Sequence, residues 1–262
     1  MTAAVVHAFR WLPESWLDPA ALIHLAIDRD DDRRHRRGIR LHRRLLLPSD
    51  VTVVNGFPCF TATRTLVEIA RDPTVPPLLV VQLLDGALRD RRTTRAQLLE
   101  CLGRMPGERY VARARDLVNR SRDGIDSPRE THLRFLLEQG GVRDLDVNIE
   151  ITDDDGLVLA RGDIGKKALL IWGEYDGFDS HTQRRQFRGD RVGDRWLASR
   201  GWHVMRFVAE DIGRPSRICR EWQQAIADAP ARIAALPASK SPEVAEARRL
   251  LGLDEGRPHA TS

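Results

Sequence analysis

The chain has 262 residues, 42% of them hydrophobic, which is enough for one or two domains with buried cores and excludes a disordered polypeptide. Its longest apolar run, Ala168 to Trp172, falls far short of the ~18 residues of a membrane span, and Arg10 and Pro13 break the first apolar stretch before a secretory segment can form. Lys166, Lys167 and Lys240 are the only lysines among 42 basic residues; the other 39 are arginines, set against 38 acids for a net charge of +4. Arginine is the better bidentate phosphate ligand, so this bias points toward nucleic acid, although a GC-rich coding sequence would give the same bias with no ligand at all. Cys59, Cys101 and Cys219 are widely spaced and form neither a CxxC pair nor an even disulfide set, so a reducing cytoplasm is the expected location.

The first strand signal is Leu22 to Ile27. It is followed by Arg29 to Arg44, a block with eight arginines against three aspartates that reads as a solvated hairpin or loop. Val51 to Val54 and Phe57 to Phe60 flank Asn55-Gly56, the dipeptide that tolerates positive φ at both centres of a type I′ turn, so a small hairpin is expected there. Helical periods take over near Thr61. Pro76-Pro77 opens an apolar helix over Leu78 to Leu88, Thr94 to Gln97 is a capping box, and Glu108 to Arg120 is a charged helix. Asn119 to Asp126 is the most linker-like stretch, which places a boundary after residue 122.

Ser127-Pro128-Arg129-Glu130 starts the next helix with an N-cap serine, proline at N1 and glutamate at N3, and Gly140-Gly141 ends it. Three strands are expected over Leu145 to Ile151, Leu157 to Ile164 and Ala168 to Tyr175, then a helix from about Arg184 to Ser199, a strand His203 to Phe207 and a helix Arg217 to Ala229. The order αβββαβα indicates an α/β domain over residues 123–230, preceded by a small β plus helical domain over residues 1–122 and followed by a mobile tail over residues 231–262. Trp196, Trp202 and Trp222 are expected in the core.

Strand alternation sets Glu174 and Asp176 on one face, and a regular hairpin turning at Gly165 to Lys167 would put Asp163 on that face too, opposite about Leu170. The parity is right, but that register leaves Asp163 and Glu174 roughly 13 Å apart along the strand, a gap that only a bend or bulge near Gly162 or Gly165 closes. Several carboxylates beside a buried strand call for neutralisation, and a hard divalent cation held by Asp163 and Glu174 is one answer. Asp163 and Asp176 closing ordinary turns, and Glu130 capping its helix, is another.

These residues resemble a known family. Ser127 to Glu130, Asn148, Asp163, Glu174-Tyr175-Asp176-Gly177, Asp190, Arg195 and Gly201 to Phe207 are similar to the PD-(D/E)XK endonuclease-like domains related to very-short-patch-repair (Vsr) nucleases. Arg37 to Arg43, Gly56-Phe57-Pro58 and Thr61 to Leu66 resemble the AbiEi-like antitoxin region of type IV toxin–antitoxin systems, which precedes that domain in many relatives. The resemblance covers roughly residues 20 to 228. It implies a restriction-endonuclease-like αβββαβ core with Asp163 and Glu174 as ligands of Mg²⁺ or Mn²⁺, Asp176 where many members of the superfamily carry a water-orienting lysine, and Glu130 approaching the same site. The implied function is metal-dependent DNA cleavage; the alternative is a non-catalytic antitoxin or DNA-binding regulator that retains the nuclease fold and meets a toxin partner. Two departures stand out: Glu-x-Asp lacks the lysine, and the winged helix with which AbiEi-like proteins generally begin is not expected here. The segment His181 to Arg206 carries seven arginines against two aspartates, and Arg184, Arg185, Arg188 and Arg195 are its candidates for phosphate contact.

Overall fold

The structure, a computed structural model, describes residues 1–34, 36–152, 155, 157–175 and 193–253. It divides into two compact units, Met1–Thr131 and His132–Ser262. Both mix helices with small sheets, and among the described residues no helix is long and apolar enough to cross a membrane.

In the first unit, α1 (Thr2–Val6) and α2 (Glu14–Leu17) precede β1 (Ile23–Asp28) and β2 (Ile39–Arg44). The arginine block is therefore not simply a loop: its second half forms β2, which pairs with β1 in parallel, His24 beside Arg40 and Ala26 beside His42. The hairpin β3 (Val51–Val54) and β4 (Phe57–Phe60) follows, and Asn55 and Gly56 adopt φ of 52° and 81°, as a type I′ turn requires. Next come α3 (Ala62–Arg71), α4 (Pro77–Arg89), α5 (Arg95–Gly103) and α6 (Val111–Arg120), which form the helical layer. The capping box on α5 is complete, with Gln97 N–H donating to Thr94 Oγ1 and Thr94 N–H to Gln97 Oε1.

The stretch read as a linker is held firmly in this unit. Ile125 is buried, and the fully buried Asp85 carboxylate of α4 accepts the Arg122 N–H at 2.7 Å and the Thr131 hydroxyl at 2.8 Å. Two long-range acceptors from a single helical aspartate carry the unit to Thr131, nine residues beyond the boundary expected at residue 122. The helix α7 (Pro128–Gln139) crosses that division.

The second unit contains a four-stranded sheet in the order β5 (Asp146–Thr152), β6 (Val158–Lys166), β7 (Ile171–Tyr175) and β8 (His203–Phe207). Neighbours β5, β6 and β7 are antiparallel, and β8 runs parallel to β7. Residues 193–199 form α8, ahead of β8. The chain then continues through α9 (Ala209–Ile212), α10 (Pro215–Ala234) and α11 (Pro242–Leu250). Two apolar clusters result. One joins Leu133 and Leu137 to Ile164, Ile171, Phe207 and Trp222; the other joins Ile149, Ile151, Trp172 and Trp202 to Ile233 and Val244. Trp222 and Trp202 are core residues, while Trp196 packs at the edge of the second cluster beneath the Arg200 guanidinium.

The expected domain end at residue 230 lies inside α10, and the segment expected as a mobile tail supplies Ile233, Val244 and Ala247 to the core. Ser241 caps α11 by accepting the Val244 N–H and also donates to the Arg200 carbonyl, and Glu243 pairs with Arg200 at 2.8 Å. A short Ala, Pro and Ser rich stretch thereby docks through local caps that composition does not reveal.

Sheet closure depends on Gly165, where an added Cβ would stand 2.2 Å from the Ile171 carbonyl oxygen across the β6–β7 pair. Backbone atoms cannot move aside cheaply. Gly165→Ala is expected to destabilise the second unit at the upper end of the ~1–3 kcal/mol typical of overpacking, read as a lowered urea midpoint with unchanged slope.

Candidate functional site

The position of Asp163 follows from how β6 turns into β7. Residues Lys167–Leu169 form a 3-10 turn, and Leu170 closes it in the left-handed region with φ 51° and ψ 45° while fully buried. Asp146 Oδ2 accepts the Lys167 N–H at 2.7 Å, and the Lys166 ammonium donates to the carbonyls of Arg143 and Asp144. These anchors shift the hairpin: Lys166 pairs with Ile171, Gly165 with Trp172 and Ile164 with Gly173. Extended one position beyond its last pair, Ile164 with Gly173, that register aligns Asp163 with Glu174 and not with Leu170. Directly opposed cross-strand positions have Cβ atoms ~4.5–5.5 Å apart, so the separation of roughly 13 Å expected from a tight turn does not arise. Past this point the ladder gives way to a side-chain bond, with Tyr175 N–H donating to Asp163 Oδ2 at 2.7 Å.

A bend is present as well. The pairs Val147 with Ile164 and Ile149 with Gly162 bracket Asn148 and Asp163. Ala160 and Ile164 have the same strand parity but pack into different clusters, so the pleat reverses between them. Opposite, Asn148 has a φ of 47°, a left-handed conformation that asparagine tolerates better than most side chains. Its Nδ2 is buried and has no hydrogen-bond partner among the described residues.

On the other side of Glu174 stands Arg206, its register partner on β8. Arg206 Nη1 lies 2.5 Å from Glu174 Oε2, and Nη2 donates to Asp194 Oδ1 of α8 at 2.8 Å. The Trp172 indole N–H donates to Glu174 Oε1 at 2.7 Å. One row across the sheet therefore reads Asn148, Asp163, Glu174, Arg206, with Asp194 beyond it. Sequence reading named Asn148, Asp163 and Glu174 but missed the roles of Arg206, Asp194 and Trp172, whose only local signal is the i, i+2 spacing of Trp172 and Glu174.

The remaining expected residues divide differently. Glu130 belongs to the first unit and serves its helix: its N–H donates to Ser127 Oγ at 3.2 Å, and its Oε2 accepts the Asp126 N–H at 2.9 Å, one residue earlier than a standard capping box. Arg195 is exposed on α8. Asp176, Arg184, Arg185 and Arg188 lie outside the described residues, as do His181 and Asp190.

Among the described residues no group of three or more His, Cys, Asp or Glu side chains is arranged to hold a metal ion. Asp163 and Glu174 are nonetheless the right donors for a hard cation, because Mg²⁺ takes carboxylate oxygens and retains several waters. The orphaned Asn148 Nδ2 is a hydrogen-bond donor and does not add to the cation ligands. Both Glu174 oxygens already accept hydrogen bonds, so a cation there shares Oε2 with Arg206 or displaces it.

No family model matches the chain, and no solved structure matches it. Two proteins of Mycobacterium tuberculosis, from two strains and both described as uncharacterized, are 25% identical to it over 184 residues, which is 69% of this chain. The aligned region spans 65% of the length of those relatives.

Proposed function

We propose that the second unit is a PD-(D/E)XK endonuclease-like domain of the Vsr-related kind that hydrolyses DNA phosphodiesters with Mg²⁺ or Mn²⁺, and that the first unit is an AbiEi-like region. The observation that supports this reading is the β6–β7 register, whose last pair, Ile164 with Gly173, precedes Asp163 and Glu174 by one position on each strand, together with the Tyr175 N–H bond to Asp163. The element order α7, antiparallel β5 to β7, α8, parallel β8 agrees with the core that the sequence resemblance implies.

In this reading Asp163 and Glu174 hold the cation, which would lower the pKa of a bound water and offset charge developing on the phosphate. The chain's own groups set the geometry. The Tyr175 N–H fixes the rotamer of Asp163, the Trp172 indole and Arg206 fix that of Glu174, and Asp194 keeps Arg206 extended along the sheet. Asp176 assists in this reading, as the resemblance implies, while Glu130 keeps its helix-capping role in the first unit. Arg195, with Arg184, Arg185 and Arg188, tracks the phosphate backbone and gives sequence-independent, salt-sensitive affinity. Three free cysteines suit a reducing cytoplasm.

One observation favours a second reading. Glu174 is satisfied within the protein by Trp172 and Arg206, as it would be in a retained scaffold with no chemistry, which is the form a DNA-binding antitoxin or regulator would take. Plasmid relaxation with and without Mg²⁺ or Mn²⁺ separates the two. Cation-dependent cleavage that is lost in Asp163→Asn supports the nuclease. Tight DNA binding that needs no metal, with no cleavage in any variant, supports the scaffold, and neutralisation of a toxin would support the antitoxin form of it.

A further inference from the structure

The first unit contains a cleft of about 800 Å³ that the proposed nuclease chemistry does not use. Its floor is the β1–β2 pair, with Ile23 and Leu25 also lining it. Alternation along the two strands, combined with their parallel register, puts His24, Ala26, Arg40, His42 and Arg44 on the same face, and all five line the cleft. The remaining lining includes Val51, Phe57 and Phe60 of the hairpin and Ile69 of α3, so much of it is apolar.

Three features describe the occupant. The volume lies within the ~300–1,000 Å³ of sites that enclose a small organic molecule. At the floor, the His24 and His42 rings lie side by side, near parallel at 21° with centroids 5.0 Å apart, and His42 Nε2 lies 2.9 Å from His24 Nδ1. Burial lowers the pKa of both rings, that of His24 to about 4, so both are neutral at pH 7. A neutral imidazole carries one N–H and one lone pair. Whichever ring donates the shared bond, the pair is left with one donor and one acceptor at its two outer nitrogens, and neither nitrogen bonds another described residue. The third feature is the charge along β2. Arg44 is neutralised by Glu68 at 2.6 Å, whereas Arg40, two residues from His42 and exposed, forms no ion pair with any described residue. Asp72, which also lines the cleft, accepts the N–H and hydroxyl of Thr74 and is not in salt-bridge contact with Arg40. A cation with no ion pair among the described residues, though within electrostatic reach of Asp72, therefore stands about 7 Å along the strand from a flat, neutral hydrogen-bonding surface.

We infer that this cleft is a binding site for a small aromatic anion, its planar body over the His24–His42 pair beside Phe57 and its carboxylate, sulfonate or phosphate at Arg40. The proposal is independent of the nuclease reading.

Fluorescence titration of the full chain with anilinonaphthalenesulfonate and with uncharged phenylnaphthylamine tests it. The anionic probe is expected to bind saturably at one site, about tenfold more tightly than the neutral one, because a charge-assisted contact at Arg40 is available only to the anion. Arg40→Gln is expected to erase that preference, Arg33→Gln on the exposed connection to preserve it, and His42→Phe to weaken both probes. Equal affinity of the two probes for the unaltered chain, non-saturating binding, or an unchanged preference in Arg40→Gln would each overturn the proposal. The comparison of probes on the unaltered chain needs no variant to fold.

Discussion

Asp163→Asn is expected to reduce cation-dependent DNA cleavage by about 100-fold or more while leaving the melting temperature nearly unchanged. The two outcomes separate because the asparagine carbonyl still accepts the Tyr175 N–H that the carboxylate accepts at 2.7 Å, whereas a neutral amide is a far weaker ligand for Mg²⁺. Glu174→Gln is expected to reduce cleavage to the same extent but with a stability cost, because it weakens the partly buried, charge-assisted contact with Arg206. Paired activity assays and thermal melts therefore distinguish chemistry from architecture. Loss of cleavage in Asp163→Asn with an unshifted melt identifies a ligand. Equal cleavage in Asp163→Asn, Glu174→Gln and the unaltered chain would eliminate the metal site.

Features set by neighbours in sequence were legible, and those set by distant partners were not. Asn55-Gly56 dictates its own backbone, and Thr94 with Gln97 satisfies the donors at its own helix start, so both read correctly from a few residues. The β6–β7 register was misread because Ala168 to Trp172 is uniformly apolar and reads as continuous strand. The chain instead spends Lys167–Leu169 in a 3-10 turn, stabilised by an Asp146 carboxylate 21 residues away and by burial of Leu170 in a conformation leucine rarely adopts. The same holds for the first unit's extent, which depends on Asp85 reaching Arg122 and Thr131, and for the parallel pairing that draws half of an arginine-rich block into a sheet. Asp163 and Glu174 were named as candidates from residue type, strand parity and the family resemblance, while Arg206, which contacts Glu174, and Asp194, which contacts Arg206, required the β7–β8 alignment.

The largest stability effect is expected from the buried ion network of the first unit. Asp50, with 1% of its side chain exposed, is held by Arg64 at 2.7 Å and by Arg104 at 2.8 Å. Arg64, itself 6% exposed, also reaches Glu68 at 2.8 Å, and Glu68 is shared with Arg44 and Arg71. Removing one member strips a buried partner of one of its two ion pairs, leaving Asp50 with Arg104 or Arg64 with Glu68, so Asp50→Ala and Arg64→Ala are each expected to cost about 3 kcal/mol, the lower end for a broken buried pair, measured by urea denaturation. Arg64→Lys is expected to recover little, because a single ammonium cannot bridge two carboxylates as the guanidinium fork does. Acid exposes the same network. Burial opposes ionisation of Glu68, but Arg44, Arg64 and Arg71 outweigh it and hold its carboxyl below the ordinary value of 4.5. A depressed folded-state pKa contributes stability that is fully present above that value and is lost as pH falls through the lower, folded one. The unaltered chain should thus lose stability steeply on acidification below about pH 4.5, and Glu68→Gln, less stable at neutral pH, should show a shallower loss over the same range. Parallel slopes for the two proteins would show that Glu68 is not the group whose protonation loosens this unit.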